Sequence, residues 1–330
     1  MADQLAAVKL AAAQAAPVFL DRAATVDKAC RLITEAGEAG ADLIGFPESF
    51  IPAHPTWYAF LPSTSQKAFG LAKRLFQNAV EIPGPATEQL AEACREAQIT
   101  AVIGLCEKRP GTTGTMYNTQ LFIGPGGTIL GKHQKLVPTL GERLVHTGGW
   151  GDTLLAYDAP FSRVSGLICG ENSNPLAMHV MSAMNTVVHV AAWPPHFDRG
   201  NKMQDNIPIA SQGLAYTIGS FVINSVGVVA EDAIEACTET DEDRAYLEEC
   251  RNEGGASIIG PRGQVLAGPM EPGEGILYAD VDLNDVLVPK IGRDVSGHYN
   301  RFDVFSLTVD RRAREALTFL TEGSESEGET

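Results

Sequence analysis

Positive charge is scarce in this sequence: 25 Lys and Arg stand against 41 Asp and Glu, a formal net charge of −16 over 330 residues. A phosphate backbone needs a basic face, so nucleic acid is excluded as the main partner. The acidity is also local. Glu231 to Glu253 holds ten acids and two bases, and the tail from Glu322 adds four acids and no base, leaving the rest near neutrality. Those two stretches read as solvated acidic faces rather than as a substrate site. No basic cluster precedes the apolar residues of Met1 to Ala16, and Lys9 interrupts them. Neither a signal peptide nor a membrane span is expected. The six cysteines, at 30, 94, 106, 169, 237 and 250, form no C-x-x-C pair. That removes the zinc and dithiol signatures and fits a cytoplasmic protein with reduced thiols. Heptads, fixed-period repeats and long linkers are absent as well.

What is present is apolar material in short, punctuated runs, with 44% hydrophobic residues, 33 Gly and 19 Pro. That composition excludes a disordered chain or a collagen-like repeat and allows a large core. Strands are expected at Lys9–Ala13, Leu43–Phe46, Thr100–Leu105, Val164–Ile168, Val187–Ala192, Phe221–Val229 and Ile276–Val281. Val26, Ala29, Cys30 and Ile33 keep helical spacing, so residues 24–38 should be a helix; 175–185 and 201–218 read likewise. Hairpins are expected around Gly124-Pro125-Gly126-Gly127 and Pro261-Arg262-Gly263. Helices alternate with strands, but the hairpins break the alternation, which predicts mixed sheets covered by helices. The insertion at 231–253 should be partly helical around Ala245, Tyr246 and Leu247, and the end of the tail should be disordered.

Three strand ends carry residues able to do chemistry. Cys169 follows Val164–Ile168 and precedes Asn174, a good N-cap, and Pro175, which suits a first helical position. Amides and the helix dipole there favour a thiolate, and Gly170 leaves room beside it. Spacing alone leaves Cys169 open between nucleophile and buried structural thiol. Cys30 and Cys94 lie on apolar helical faces and read as packing residues, and Cys106 reads as structural. In Cys237 and Cys250, neighbouring carboxylates should raise the thiol pKa. Glu48 lies just past an apolar strand, and Lys135 just past a hairpin. Acyl transfer at a thiolate needs a proton acceptor and a positive charge near the developing anion, and these residues fit. Spacing does not single them out. His54, His133 and His298 are scattered, with no paired ligand spacing, so no metal is expected.

The motifs Phe46-Pro47-Glu48, Lys132-His133-Gln134-Lys135-Leu136-Val137-Pro138-Thr139 and Gly166-Leu167-Ile168-Cys169-Gly170-Glu171-Asn172 resemble the signatures of the nitrilase superfamily. The resemblance continues through Glu142-Arg143-Leu144, Gly148–Asp152, Ala192-Trp193-Pro194, Gly254–Ser257 and Asp294–Phe305. It covers roughly residues 7–306, and the context of Cys169 and the Gly297-His298-Tyr299 ending resemble the nitrilase branch. It implies an α/β fold, a four-layer α-β-β-α sandwich, with one domain over 1–310 and a tail over 311–330. It implies an enzyme with a Glu48, Lys135, Cys169 triad, aided by Glu142, that converts a nitrile to an acid and ammonia through a thioimidate and a thioester. Amide or cyanide hydrolysis are the alternatives, and a non-catalytic scaffold is a third. His54 and Gly170 depart from the family's usual Tyr and Trp. Together with Trp57, Glu171 and Trp193 they are the expected pocket residues, and Gly170 should widen the site. No cofactor is implied. The partners are nitrile and water, and subunits should pair through the helix at 175–185 into dimers and further into spirals or filaments. Residues 59–76 and 231–253 are candidate second interfaces.

Overall fold

The computed structural model describes residues 5–200, 202–313 and 317. The disorder expected at the end of the tail lies outside the described residues. In chain order the elements are β1 (Ala7–Ala15), α1 (Arg22–Glu38), β2 (Leu43–Gly45), α2 (Gln66–Asn78), α3 (Pro85–Ala97), β3 (Thr100–Lys108), β4 (Met116–Ile123), β5 (Ile129–Gln134), β6 (Ala156–Asp158), β7 (Arg163–Ile168), α4 (Pro175–Ala183), β8 (Val188–Trp193), α5 (Met203–Ile218), β9 (Phe221–Gly227), α6 (Glu231–Cys237), α7 (Asp241–Cys250), β10 (Ser257–Ile259), β11 (Val265–Ala267), β12 (Gly275–Asp282) and α8 (Leu287–Gly292).

The strands fall into two halves. One runs β5-β4-β3-β2-β1, with β12 antiparallel on β1; the other runs β6-β7-β8-β9, continued by β10 and β11. A short parallel contact, Gln14 with Val226 and Ala15 with Gly227, joins them. Alternation along the strands makes the layers, because successive side chains point to opposite faces. Leu10, Ala12, Leu43, Val102 and Phe122 share one core with Val190 and Ile223 of the other half. Their neighbours Ala11, Ala13, Ile44, Ala101 and Ile103 share a second core with Val26 and Ile33 of α1 and Leu90 of α3. The first core also takes in Val180 of α4 and Leu214 of α5. The result is the expected α-β-β-α sandwich. Strands covered on both faces must be apolar throughout, which is why they read as continuous runs. The halves approach closely at Gly45, where a Cβ would lie 2.7 Å from Ser225 Oγ and 2.8 Å from Val190 Cγ1.

Helix α1 starts where Asp21 accepts a hydrogen bond from the Ala24 amide, and α4 where Asn174 accepts from Leu176 and Ala177. Such caps satisfy amides that have no partner inside a helix. Two features escaped the sequence. β3 and β4 pair antiparallel from Ala101–Ile123 to Lys108–Met116, so β3 runs past the expected Thr100–Leu105 in a hairpin the sequence did not announce. The acidic insertion is helical as expected, forming α6 and α7; what escaped is that its apolar residues Ala233, Ile234, Cys237 and Leu247 join a third core with Phe19 and Trp57. Leu247 is spent inside the subunit, and Tyr246 packs on Phe60. Among the described residues no helix is long and apolar enough to cross a membrane.

Candidate active site

Three strand ends deliver the central side chains. Glu48 follows β2, and its amide donates to the Trp193 carbonyl at the end of β8 (3.2 Å). The Phe46-Pro47-Glu48 turn lies so close to β3 that a Cβ on Gly104 would be 1.9 Å from the Pro47 carbonyl oxygen. Lys135 follows β5, held by its amide to Asn118 O and its carbonyl from Gly149 N, both 2.8 Å. Cys169 follows β7 with φ of 52°, and Ser49 and Leu140 beside the site also have positive φ, both 48°. Non-glycine residues held there cost roughly 1–3 kcal/mol each, so the surroundings must hold them. For Cys169, the Asn172 amide donates to its carbonyl (3.0 Å).

The Lys135 ammonium is buried and donates to Glu48 Oε1 and to Glu142 Oε2, each at 2.7 Å. Asn118 Nδ2 donates to Glu48 Oε1 (2.7 Å) and to Glu142 Oε1 (2.6 Å). His146 Nδ1 donates to Glu142 Oε1 (3.1 Å), and the Thr139 amide to Glu142 Oε2 (2.8 Å). Both oxygens of Glu142 are therefore occupied, whereas Glu48 Oε2 is buried without a protein partner. The protonation states follow. Burial pushes the Glu48 carboxyl above the ordinary range, and Lys135 only partly offsets it. Burial acts on Glu142 the same way, but Lys135 and the His146 hydrogen bond overcome it and hold Glu142 well below that range. Burial alone would lower Lys135; Glu48, Cys169 and Glu142 reverse that and raise it. Of the two carboxylates Glu48 is therefore the readier to take up a proton, and the ammonium stays charged.

Cys169 departs from the expected thiolate. Burial, then the like charge of Glu48, pushes its thiol up to about 12. Cys169 is therefore a thiol at rest, because desolvation disfavours its charged form. In Cys237 and Cys250 too, burial rather than nearby carboxylates is the main cause of the raised pKa.

A cavity of about 310 Å³ joins Glu48, Lys135, Glu142, Cys169 and His54, with Tyr58, Leu140, Phe197 and Met203 among its apolar walls. His54 stacks on Phe197 with ring centroids 5.2 Å apart, and burial lowers its pKa to about 3, so the imidazole is neutral. The other expected pocket residues lie elsewhere. Trp57 is fully buried and packs edge-on against Phe19. Trp193 donates from Nε1 to Asn224 Oδ1 (2.9 Å) inside the core. Glu171 is a brace: it accepts from Leu136 N (2.7 Å), Ile168 N (3.0 Å) and His133 Nε2 (2.9 Å). It thereby ties the residue after Lys135 to the residue before Cys169. Gly170 is exposed and not among the residues lining this cavity, and a Cβ there would meet nothing within 4 Å. Asn118 and His146 were missed. Asn118 lies in mid-strand with no local signal, whereas His146 stands four residues after Glu142, a spacing that the sequence displays.

Donor atoms of Glu48, His54 and Glu142 lie within 4.8 Å of one another, an arrangement that could hold a metal ion. The cation among these carboxylates is Lys135 itself, 2.7 Å from each.

The carbon–nitrogen hydrolase family matches residues 9–287. A protein named Nitrilase 2, from an unknown prokaryotic organism, is 37% identical over 94% of this chain and 95% of its own. An aliphatic nitrilase of Rhodococcus rhodochrous is 37% identical over 92% of this chain and 83% of its own. The crystal structure of a carbon–nitrogen hydrolase from Helicobacter pylori shares the fold, with a TM-score of 0.69 at 18% identity over 91% of this chain and 97% of that one.

Proposed function

The chain belongs to the carbon–nitrogen hydrolase family, in its nitrilase branch, and from that premise we propose that it hydrolyses an organic nitrile to the carboxylic acid and ammonia with Glu48, Lys135 and Cys169 as its working residues. The observation that carries this reading is the meeting of an unpaired carboxylate oxygen, a fixed ammonium and a thiol in one cavity. Glu48 takes the thiol proton as Cys169 Sγ bonds to the nitrile carbon. A raised carboxyl pKa suits this task, because a base works best with a pKa near the working pH. Negative charge develops on the nitrile nitrogen, and Lys135 lies in place to stabilise it without reorganising.

Glu48 passes the thiol proton to the nitrogen, leaving a covalent thioimidate and a carboxylate ready for the next step. Water adds to the thioimidate as Glu48 takes one water proton and hands it to the nitrogen; the hydroxyl proton follows as the carbonyl forms, ammonia leaves, and a thioester remains. A second water adds, Cys169 leaves with its proton restored, and the acid is released. The total is one nitrile and two waters to one acid and one ammonia. Glu142 never needs to titrate in this scheme. With both oxygens engaged it holds Lys135 in line and keeps it charged. Dimers formed through α4, where Leu176 is exposed, belong to the same reading.

The test is ammonia release from nitriles and from amides with the same R group. Nitriles should turn over faster, giving mainly acid. Intact-mass analysis with a slow nitrile should place the adduct on Cys169. Faster amide turnover across the panel, or an adduct on Cys106, would sink the reading.

A further inference from the structure

Glu48 and His54 line two cavities at once. One is the site above. The other lies behind them, walled by Phe19, Ala53, Val229 and by Ala233, Cys237 and Leu247 of the acidic insertion. It leaves about 20 Å³ free for the centre of a water molecule, and one water needs roughly 10–15 Å³ on that measure. Its walls are apolar apart from Glu48, Ser49, His54 and Thr56. Two atoms of the shared wall, Glu48 Oε2 and His54 Nδ1, are buried without a protein partner. Glu48 is only 2% exposed. A carboxylate oxygen of Glu48 and an imidazole nitrogen of His54 lie within 4.8 Å, a span that one bridging water covers. Water suits both atoms, since it donates to the carboxylate and either donates to or accepts from a neutral imidazole.

We propose that this rear chamber binds one water between Glu48 Oε2 and His54 Nδ1 and supplies it for the hydrolysis of the thioester on Cys169. The inference rests on the hydrolase reading above. The bulk of a bound acyl group fills the front cavity, so water reaching Glu48 from behind need not pass it. In the step itself the water oxygen bonds to the thioester carbonyl carbon, and Glu48 takes one water proton. The carbon–sulfur bond then breaks, and the proton returns to Cys169 as thiol; acid and free enzyme result. On this view the acidic insertion roofs the chamber through Ala233 and Leu247.

Two measurements test it. A high-resolution crystal structure of the wild-type protein should show an ordered water within hydrogen-bond reach of Glu48 Oε2 on the chamber side. The variant Ala233→Val should fill the chamber from outside the catalytic groups. With a slow nitrile its thioester should accumulate by intact mass and decay about tenfold more slowly than in the wild type, the scale of loss expected when a reactant is misplaced. Formation of the first adduct should stay within about twofold of wild type, since that step does not use this water. A chamber without ordered water overturns the proposal. So does a folded Ala233→Val protein that clears its thioester at the wild-type rate. If Ala233→Val does not fold, the wild-type structure alone decides. A protein that holds the water but forms no adduct with any nitrile or amide would instead refute the hydrolase reading.

Discussion

Lys132 and Lys135 stand three residues apart at the end of β5, and each meets a buried carboxylate from another segment. Lys132 pairs with Glu107, its own side chain 31% exposed. Glu107 also accepts from Thr119 Oγ1 and Gln134 Nε2, both at 2.9 Å, so both its oxygens are occupied. Lys135 is 1% exposed and shared between two carboxylates, one of which keeps an unpaired oxygen. The same residue types thus make a brace in one place and the proposed reactive centre in the other. Burial sets the energetic stakes, but the unfilled oxygen decides availability for proton transfer, because a carboxylate whose oxygens are all engaged has no place for a new proton.

The largest effects should come from the lysines. Lys135→Met leaves Glu48 and Glu142 facing each other, so it should cost about 3–5 kcal/mol in urea unfolding and about 10²–10³-fold in nitrile turnover. Lys132→Met should cost no more than about 1 kcal/mol, since solvent screens its partly exposed head, and should leave turnover nearly unchanged. Equal losses of turnover from both would erase the distinction.

The carboxylates give the next contrast. Glu48→Gln should lower turnover by about 10²–10⁴-fold by removing the proton acceptor. Glu107→Gln should leave the chemistry intact but lose about 1–3 kcal/mol, because its new NH₂ faces donors. Thermal melts beside steady-state rates separate the two.

The third prediction concerns pH. Cys169 has a raised pKa, so its contribution to stability is fully present below the ordinary thiol value of about 8.5 and fades as pH rises toward about 12. Its alkylation by iodoacetamide should keep climbing beyond pH 9 rather than level near 8.5. In Glu48→Gln the like charge is gone, and the plateau should move to lower pH. Glu142 works with the opposite sign. Its depressed pKa gives stability that is present above the ordinary value of about 4.3 and lost as pH falls. Glu142→Gln should therefore flatten the acid limb of a stability–pH curve.

The smallest effect is expected at Gly170. Gly170→Ala should change stability by no more than about 0.5 kcal/mol and leave the preference among nitriles unaltered, because the added methyl meets open space. A clear shift in preference would return Gly170 to the pocket.

By itself the sequence determined the punctuation of the fold. Apolar runs stopped at Pro47 and before Gly170, and the hairpin around Gly124–Gly127, place Glu48, Cys169 and Lys135 near strand ends, since local turn chemistry and side-chain period are written in consecutive residues. The layered fold and the family were legible through motifs that lie in order along the chain. Which residues meet was not legible. Nothing near Asn118 says that it bridges two glutamates from other segments, and the Glu171 and Trp193 motifs looked like pocket but serve as brace and core. The thiolate expected from a helix start yields to desolvation and to the charge of Glu48, contributed by another strand. Those outcomes depend on which groups are excluded from water together, and that is set by the packing of distant segments, which only the tertiary structure decides.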